Sequence, residues 1–265
     1  MDTLGVDVDR RVSEMGLGGR LYNFFFGSPS KAAAALQLRA RWTDWLIPVL
    51  VTFVVTAFAG KLTQDIVYNE MRQRLQSSTK LTEEQVKVAL DRMEQQREKW
   101  TSPGRQAVAY ALSFAVILAI TAIVGGVVLF ITNVILGGEV KYVQGLSLAA
   151  WGSWLVHMTS AGSTTLVGLF PGIVKVPLIL AKGSTDVTTS LALLWPGSKA
   201  AFLYHLLSKV DVFNIWLLAV MTAGIATLAR ANIRKTAYWV VGLWSILAVL
   251  SALVTSLLMK LQGIS

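Results

Sequence analysis

The chain has 265 residues, of which 54% are hydrophobic and 15% charged, with a formal net charge of +9. Soluble domains carry about 25% charged residues, so this composition excludes a purely soluble enzyme and a disordered chain. The absence of cysteine excludes a secreted disulfide scaffold and thiolate metal sites. The apolar residues stand in long charge-free blocks, which is typical of membrane-spanning helices.

The N-terminal part is predicted to lead into the first membrane span. Residues 1–20 are expected to be a mobile lead without the apolar stretch of a signal peptide, so the first span would act as an uncleaved anchor. Ser28 followed by Pro29 is a helix-start signal and predicts a helix to about Arg41. Aromatic residues beside this basic helix favour the membrane interface. The alternative left open is a helix that simply joins the first span.

Five charge-free blocks predict an all-α, polytopic bundle of five transmembrane helices, because a span needs about 17–25 apolar residues. The expected spans are residues 43–62, 106–134, 143–169, 211–229 and 236–259. Each of the two longest blocks is interpreted as one long or tilted span with an interfacial tail. The short basic turn Arg230–Lys235, together with Arg39 and Arg41, predicts a cytoplasmic N-terminus by the positive-inside rule.

Two segments outside the spans carry further signals. Residues 63–104 are predicted to form an extramembrane helical insertion, in which Thr82 and Gln85 form a capping box ahead of an amphipathic helix to about Trp100. That helix would either dock a partner or rest on the membrane surface. Between the third and fourth spans, residues 171–210 are rich in Pro and Gly, which favours short interfacial or re-entrant pieces at the outer face.

The interiors of the five predicted spans hold no Asp, Glu, Lys or Arg, although ionisable residues in a membrane mark function. This argues against a proton pump, a charge-coupled transporter and an aspartyl intramembrane protease. The intramembrane polar residues are His157 and Asn133, and we expect them to hydrogen-bond neighbouring helices. His157 shares its predicted helix with Ser160, which does not match a catalytic pair on separate spans. We therefore predict no enzyme activity, no cofactor, no metal site and no nucleic-acid binding.

The candidate contact residues flank the fourth predicted span. At its entrance stand an acid, an amide and an indole, and at its exit a basic turn; as partner or lipid contacts we single out Asp211, Asn214, Trp216, Arg230, Arg234 and Lys235. Asp211 has a second interpretation as the N-cap of its helix. The basic turn is also explained as a topology anchor that contacts lipid headgroups.

The same region carries a family resemblance. Phe213 and Trp216 follow the acid, Gly224 lies mid-span, and the last span contains Trp239 and Trp244. Near the N-terminus, the run Phe25–Pro29 is followed by a short helix and by Arg41–Trp42. Over about residues 20–260 the chain resembles the bacterial branch of the Yip-domain family, relatives of the eukaryotic Rab/Ypt-interacting membrane proteins. The resemblance implies a five-span domain over residues 21–265 in the bacterial cytoplasmic (inner) membrane, with no family active site.

We therefore predict a non-enzymatic integral membrane scaffold or accessory protein of a membrane assembly. The expected partners are membrane lipid and other membrane proteins such as exporter components, and homodimerisation through the glycine-bearing spans stays open. The alternative is a transport component, either a permease subunit or a small channel. A packed apolar bundle favours the scaffold, whereas a polar cavity around His157 and Asn133 favours transport.

Overall fold

The computed structural model describes residues 12, 14–78, 82–100, 102–155, 157–158, 166–198 and 201–261. Their helices are, in chain order, α1 Leu17–Phe26, α2 Pro29–Arg39, α3 Thr43–Gln76, α4 Glu83–Trp100, α5 Pro103–Leu129, α6 Tyr142–Gly152, α7 Leu169–Lys182, α8 Phe202–Leu207, α9 Val212–Leu228 and α10 Ile233–Leu261. A π-helical segment, Phe130–Ile135, continues α5, and a 3₁₀ turn covers Leu191–Leu194. Strands β1 (His157–Met158) and β2 (Leu166–Val167) form one short antiparallel pair, with His157 opposite Val167. The predicted helical class is confirmed.

Three helices are long and apolar enough to cross a membrane, namely Thr43–Gln76, Pro103–Ile135 and Ile233–Met259. Helix α9 is also apolar but has only 17 residues. These four helices cover the predicted spans at 43–62, 106–134, 236–259 and 211–229. Length and composition alone therefore support three crossings, and a fourth apolar helix follows the predicted position closely.

The prediction of one continuous helix over residues 143–169 is wrong. Helix α6 ends at Gly152, the chain turns through Ser153 to Leu155, and α7 begins at Leu169. The amide of Leu155 donates to the carbonyl of Gly152 at 3.0 Å, which tightens the end of the helix. The sequence after Gly152 is rich in Gly, Ser and Thr, which form helices less readily than Ala or Leu. A charge-free block thus indicated membrane character without locating this break.

The first predicted span is the start of a much longer helix. Helix α3 continues to Gln76 and pairs with α4, and we call the C-terminal half of α3 together with α4 the charged hairpin. Arg97 donates to Asp65 at 2.9 Å, and its guanidinium lies 4.3 Å from the centre of the Tyr68 ring. The predicted capping box is confirmed, because Thr82 N–H donates to Gln85 Oε1 at 3.0 Å and Gln85 N–H to Thr82 Oγ1 at 3.3 Å.

The segment 171–210 contains short elements, as its Pro and Gly content predicted, and one end of it is tied to α3. Helix α7 stops at Gly183, whose φ of +64° is the left-handed conformation typical of a helix C-cap. The carboxylate of Glu70 on α3 then accepts hydrogen bonds from the Ser184 hydroxyl at 2.7 Å and the Thr185 amide at 2.8 Å. Helix α7 therefore packs along α3.

Helices α5 and α6 approach each other through two glycines. A Cβ at Gly125 would lie 3.1 Å from the Cα of Leu146, and a Cβ at Gly145 would lie 3.1 Å from the carbonyl oxygen of Gly125. Neither position has room for a side chain without displacing backbone. The glycine at position 126, by contrast, points into open space, since a Cβ there meets nothing within 4 Å.

This difference predicts opposite outcomes for two neighbouring substitutions. Gly125→Leu is expected to lower the free energy of unfolding by about 1–3 kcal/mol, because it over-packs the α5–α6 contact. Gly126→Leu serves as the matched control and should leave stability unchanged or slightly higher, since leucine is the better helix former. Thermal unfolding of the detergent-solubilised protein measures both, and equal losses would contradict this packing.

The N-terminal helices form a wedge inside the bundle. Ser28 caps α2 as predicted, accepting from the Lys31 amide at 3.4 Å, with Pro29 in the first turn. Helix α2 was expected at the membrane interface, but its alanine and leucine face is fully buried in the protein and packs against α9. We call Leu17–Arg39 the N-terminal wedge.

The wedge also moves the boundary of the predicted lead. Helix α1 begins at Leu17, so residues 17–20 belong to the folded bundle and not to a mobile lead over 1–20. Residues 1–11 and residue 13 of that lead lie outside the described residues. The aromatic run that follows Arg20 explains the earlier start, because Phe24 and Phe25 need a buried position for their rings.

Candidate functional site

A buried ion pair fixes the wedge to the start of α3. Arg20 Nη1 lies 2.7 Å from Asp44 Oδ2, and the two side chains are 0% and 1% exposed. Arg20 also donates to the carbonyl oxygens of Met15 and Arg39, both at 2.9 Å. The same carboxylate oxygen accepts from the amide of Arg41 at 2.7 Å. One guanidinium thus joins α1, the end of α2 and the first turn of α3.

A cluster of aromatic rings fills the space between the wedge and the bundle. Phe24 packs edge-on against Trp151 of α6, with ring centres 5.2 Å apart, and Phe25 stacks on Trp154 at 5.5 Å. Both indoles donate to the backbone of α3, Trp151 to Asp44 O at 2.7 Å and Trp154 to Pro48 O at 3.1 Å. We define the aromatic cluster as Phe24, Phe25, Phe26, Trp151, Trp154, Phe170 and Trp216.

Two amides tie the wedge to the bundle at the end where α9 terminates. Gln144 of α6 donates to the carbonyl oxygens of Leu36 and Gln37, both at 3.2 Å. Gln37 in turn donates to the carbonyl oxygen of Leu228 at 3.3 Å. These bonds satisfy the last carbonyls of α2 and α9, and they place the wedge beside the turn that follows α9.

The three residues singled out at the start of α9 have structural partners. Asp211 is the N-cap, accepting from the Asn214 amide at 2.8 Å, so the capping interpretation is confirmed. The Asn214 side chain donates to the Lys209 carbonyl at 2.7 Å. Trp216 belongs to the aromatic cluster and donates to the Phe25 carbonyl at 3.2 Å. All three side chains therefore stabilise the bundle itself.

Asp211 also takes part in a buried charge pair. Its Oδ2 lies 3.9 Å from Lys175 Nζ, and the side chains are 1% and 5% exposed. Lys175 stands midway along α7, at a position that the sequence assigned to the outer face. The bundle thus encloses the cation of Lys175. The charge-free block of the sequence ends just before this lysine, so the block gave no sign that its side chain is buried.

The basic turn lies at the surface of the bundle. Arg230 has a φ of +51°, and the Ala231 amide donates to the Ala226 carbonyl at 2.9 Å, which closes the end of α9. Arg234 and Lys235 are exposed in the first turn of α10. Asn232, which the sequence did not single out, caps this turn by accepting from the Arg234 amide at 2.8 Å.

The two intramembrane polar candidates have different outcomes. The Asn133 side chain makes two hydrogen bonds with the backbone of Val140, at 2.9 Å and 2.8 Å, and so closes the loop between the π segment and α6. It bonds the following loop and not a neighbouring helix. His157 lies in β1 and not in a helix, and its side chain is outside the described residues.

One further histidine lies in α8. The imidazole of His205 is buried, and its Nε2 has no hydrogen-bond partner. Burial, and then the positive charge of Lys209, lowers the pKa of His205 below its ordinary value, so the ring is neutral at pH 7. Within the described ranges no group of three His, Asp or Glu side chains is arranged to hold a metal ion.

The model of the Yip1 domain family matches residues 25–255 of the chain. The chain belongs to this family. No curated protein and no solved structure matches the sequence. The Yip1 domain therefore includes most of the wedge, the bundle, the charged hairpin and nearly all of α10. The resemblance stated from the aromatic and basic residues of the sequence is confirmed at the level of the family.

Three of the residues in the two buried ion pairs were not among the sequence candidates. Arg20 was assigned to the lead, whereas Asp44 immediately precedes the first charge-free block and Lys175 immediately follows the third. Arg20 precedes three consecutive phenylalanines, which are expected to be buried, and that proximity was the available signal. No local signal pairs Lys175 with Asp211, because the contact depends on how α7 and α9 pack.

Proposed function

We propose that this Yip1-domain protein is a non-enzymatic membrane scaffold or accessory protein that holds a partner in a membrane assembly. The observation that carries the proposal is the packed centre of the bundle. Phe24, Leu36, Leu148 and Trp151 are fully buried there, between the wedge, α6 and α9. A site that transports a solute or performs chemistry needs space for its ligand, and the aromatic cluster occupies that position.

The proposed orientation has five passes, with the third broken between α6 and α7. The wedge and the basic turn lie at the same end of the bundle, because Gln37 bonds the last turn of α9. Positive residues in short loops favour the cytoplasm, so both the N-terminus and Arg230–Lys235 are placed there. We propose the bacterial inner membrane as its location, as the resemblance drawn from the sequence implies.

The charged hairpin is the proposed partner-binding surface. It continues rigidly from a membrane-spanning helix, and its two halves are joined by the Arg97–Asp65 ion pair and by the Tyr68 hydroxyl, which donates to Glu94. Helix α4 carries exposed charges of both signs, including Lys87 and Asp91, which line the open groove between the two halves of the hairpin. A rigid surface of mixed charge suits a protein partner better than it suits the surface of an anionic membrane.

The first test is affinity purification of the tagged protein from its native membrane in mild detergent, followed by mass spectrometry. We expect one membrane protein or exporter subunit to be recovered in stoichiometric amount. Lys87→Glu on the charged hairpin should reduce that recovery at least fivefold. Lys31→Glu, which reverses a lysine that is also exposed on α2, is the matched control and should not reduce recovery. Recovery of the chain alone would contradict the scaffold.

A transport component is the second candidate, favoured by the buried Lys175–Asp211 pair. Charges enclosed in a membrane bundle often line the path of an ion or polar solute. The discriminating measurement is solute flux into liposomes that contain the purified protein. Flux that disappears in Asp211→Asn, with no partner recovered from membranes, would favour transport over the scaffold.

A further inference from the structure

The outer face of the bundle contains a groove between α5 and α10. Both helices are long enough to span a membrane, and the groove between them has a volume of about 590 Å³. Its walls are almost entirely apolar and include Val127, Phe130 and Leu243. The volume lies in the range of about 300–1,000 Å³ that is typical of small-molecule sites. The groove is separate from the wedge, the charged hairpin and the aromatic cluster.

Two glycines give the groove its depth. Gly126 on α5 and Gly242 on α10 line opposite walls, and a Cβ at either position would meet nothing within 4 Å. Glycine costs a helix roughly 1 kcal/mol relative to alanine, and neither glycine is required here by close backbone packing. These positions are therefore explained by the space that they leave open.

Along α10 the side chains beside the groove change from cationic to aromatic and then to apolar. Arg234 and Lys235 are exposed in the first turn, and Tyr238 and Trp239, which line the groove, follow each of them at four residues. Residues four apart share a helix face, so the two cations stand directly above the two aromatic rings. One turn further along, the wall becomes purely apolar from Gly242 onward. The sequence of cation, aromatic ring and apolar wall matches the headgroup, interface and acyl chain of a phospholipid.

The two cations are not explained by the stability of their own helix. The N-terminus of a helix carries a partial positive charge, so Arg234 and Lys235 in the first turn of α10 oppose the dipole. Asn232 already accepts from the Arg234 amide, so the two side-chain cations are what this end offers to a negative group. The opposite wall supplies no charge there, since the π segment contributes Phe130, Ile131 and Ile135. A single anionic headgroup complements this end.

We propose that the α5–α10 groove is a binding site for one anionic phospholipid. One acyl chain lies between Gly126 and Gly242, and the phosphate contacts Arg234 and Lys235. A second copy of the chain is the other occupant to consider. Face-to-face pairing of two such grooves in one membrane would bring two basic turns together at the same surface, where their charges repel each other. A lipid neutralises those charges.

The test uses the full chain in detergent, titrated with dioleoyl phosphatidylglycerol or dioleoyl phosphatidylcholine and read by native mass spectrometry. We expect one phosphatidylglycerol to be retained per chain, in preference to phosphatidylcholine. Filling the groove with Gly126→Leu and Gly242→Leu should reduce retention at least tenfold. The control Gly60→Leu fills open space on α3 and should retain the lipid as the unmodified protein does.

A second variant tests the headgroup contact. A basic residue near an anionic surface contributes about fivefold in affinity, so Arg234→Gln should weaken phosphatidylglycerol about fivefold and leave phosphatidylcholine unchanged. Unchanged retention in the double glycine variant would overturn the site. A lipid-free dimer that the double glycine variant converts to a monomer would also overturn it, in favour of a second copy. Matching unfolding temperatures of the Gly60 and double glycine variants establish that both are folded.

Discussion

Replacing Asp44 with alanine is expected to lower the free energy of unfolding by about 3–5 kcal/mol, because it leaves the guanidinium of Arg20 buried and unpaired. The side chain of Arg20 is 0% exposed. The carboxylate also accepts from the Arg41 amide just before α3, so the same substitution removes that hydrogen bond as well. Titration with sodium dodecyl sulfate, followed by tryptophan fluorescence, measures the loss.

The exposed ion pair of the charged hairpin provides the matched control. Arg97 and Asp65 lie 2.9 Å apart, close to the 2.7 Å of the buried pair, but their side chains are 40% and 77% exposed. Solvent screens such pairs, which contribute between about 0 and 1 kcal/mol. Asp65→Ala should therefore change stability little. Similar losses for Asp44→Ala and Asp65→Ala would show that Arg20 is not isolated from solvent.

A double replacement separates the cost of an unpaired charge from the value of the pair. Arg20 Nη2 and Asp44 Oδ1 have no hydrogen-bond partner, so the pair is incompletely satisfied. Buried ion pairs of this kind are often replaced by apolar side chains without loss of stability. Arg20→Met with Asp44→Leu should recover most of the loss seen for Asp44→Ala. If it does not, the pair itself is a net source of stability.

The elements that sequence reasoning located were those with a local signal. Ser28 before Pro29, Thr82 with Gln85, and Asp211 with Asn214 each place a side-chain acceptor or donor within three residues of its target. Such contacts form in any context where the helix exists. The long apolar blocks located α3, α5, α9 and α10 for a related reason, since hydropathy summed over many residues depends little on packing.

What sequence reasoning missed depends on tertiary contacts. The break after Gly152 allows Trp154 to reach the backbone of α3, a partner more than a hundred positions away in the chain. In the two buried ion pairs, Asp44, Lys175 and Asp211 lie at the edges of charge-free blocks, where a charge is expected to face water or headgroups. The alanine face of α2 has the composition of an interfacial helix, and its burial follows from the fit against α9.

Phe24→Ala is expected to lower the free energy of unfolding by about 3–5 kcal/mol, as much as Asp44→Ala. This is the usual cost of removing a fully buried phenylalanine ring. The ring contacts Trp151, and its edge lies near Gly224 of α9, where a Cβ would be 3.5 Å away. Alanine leaves a cavity between α1, α6 and α9 that none of the three can fill alone. The wedge should loosen before the bundle unfolds.

A comparison with Phe26 distinguishes the effect of losing a buried side chain from the effect of losing an aromatic ring. Phe26 belongs to the same cluster and touches Phe170 and Trp216, yet 59% of its side chain is exposed. Phe26→Ala should therefore cost much less than Phe24→Ala in the same titration. If partner binding requires the wedge to be packed in the bundle, Phe24→Ala should also reduce partner recovery from membranes, whereas Phe26→Ala should not. Equal losses of stability would place Phe24 outside the packed centre, and the scaffold proposal would then lose the observation that carries it.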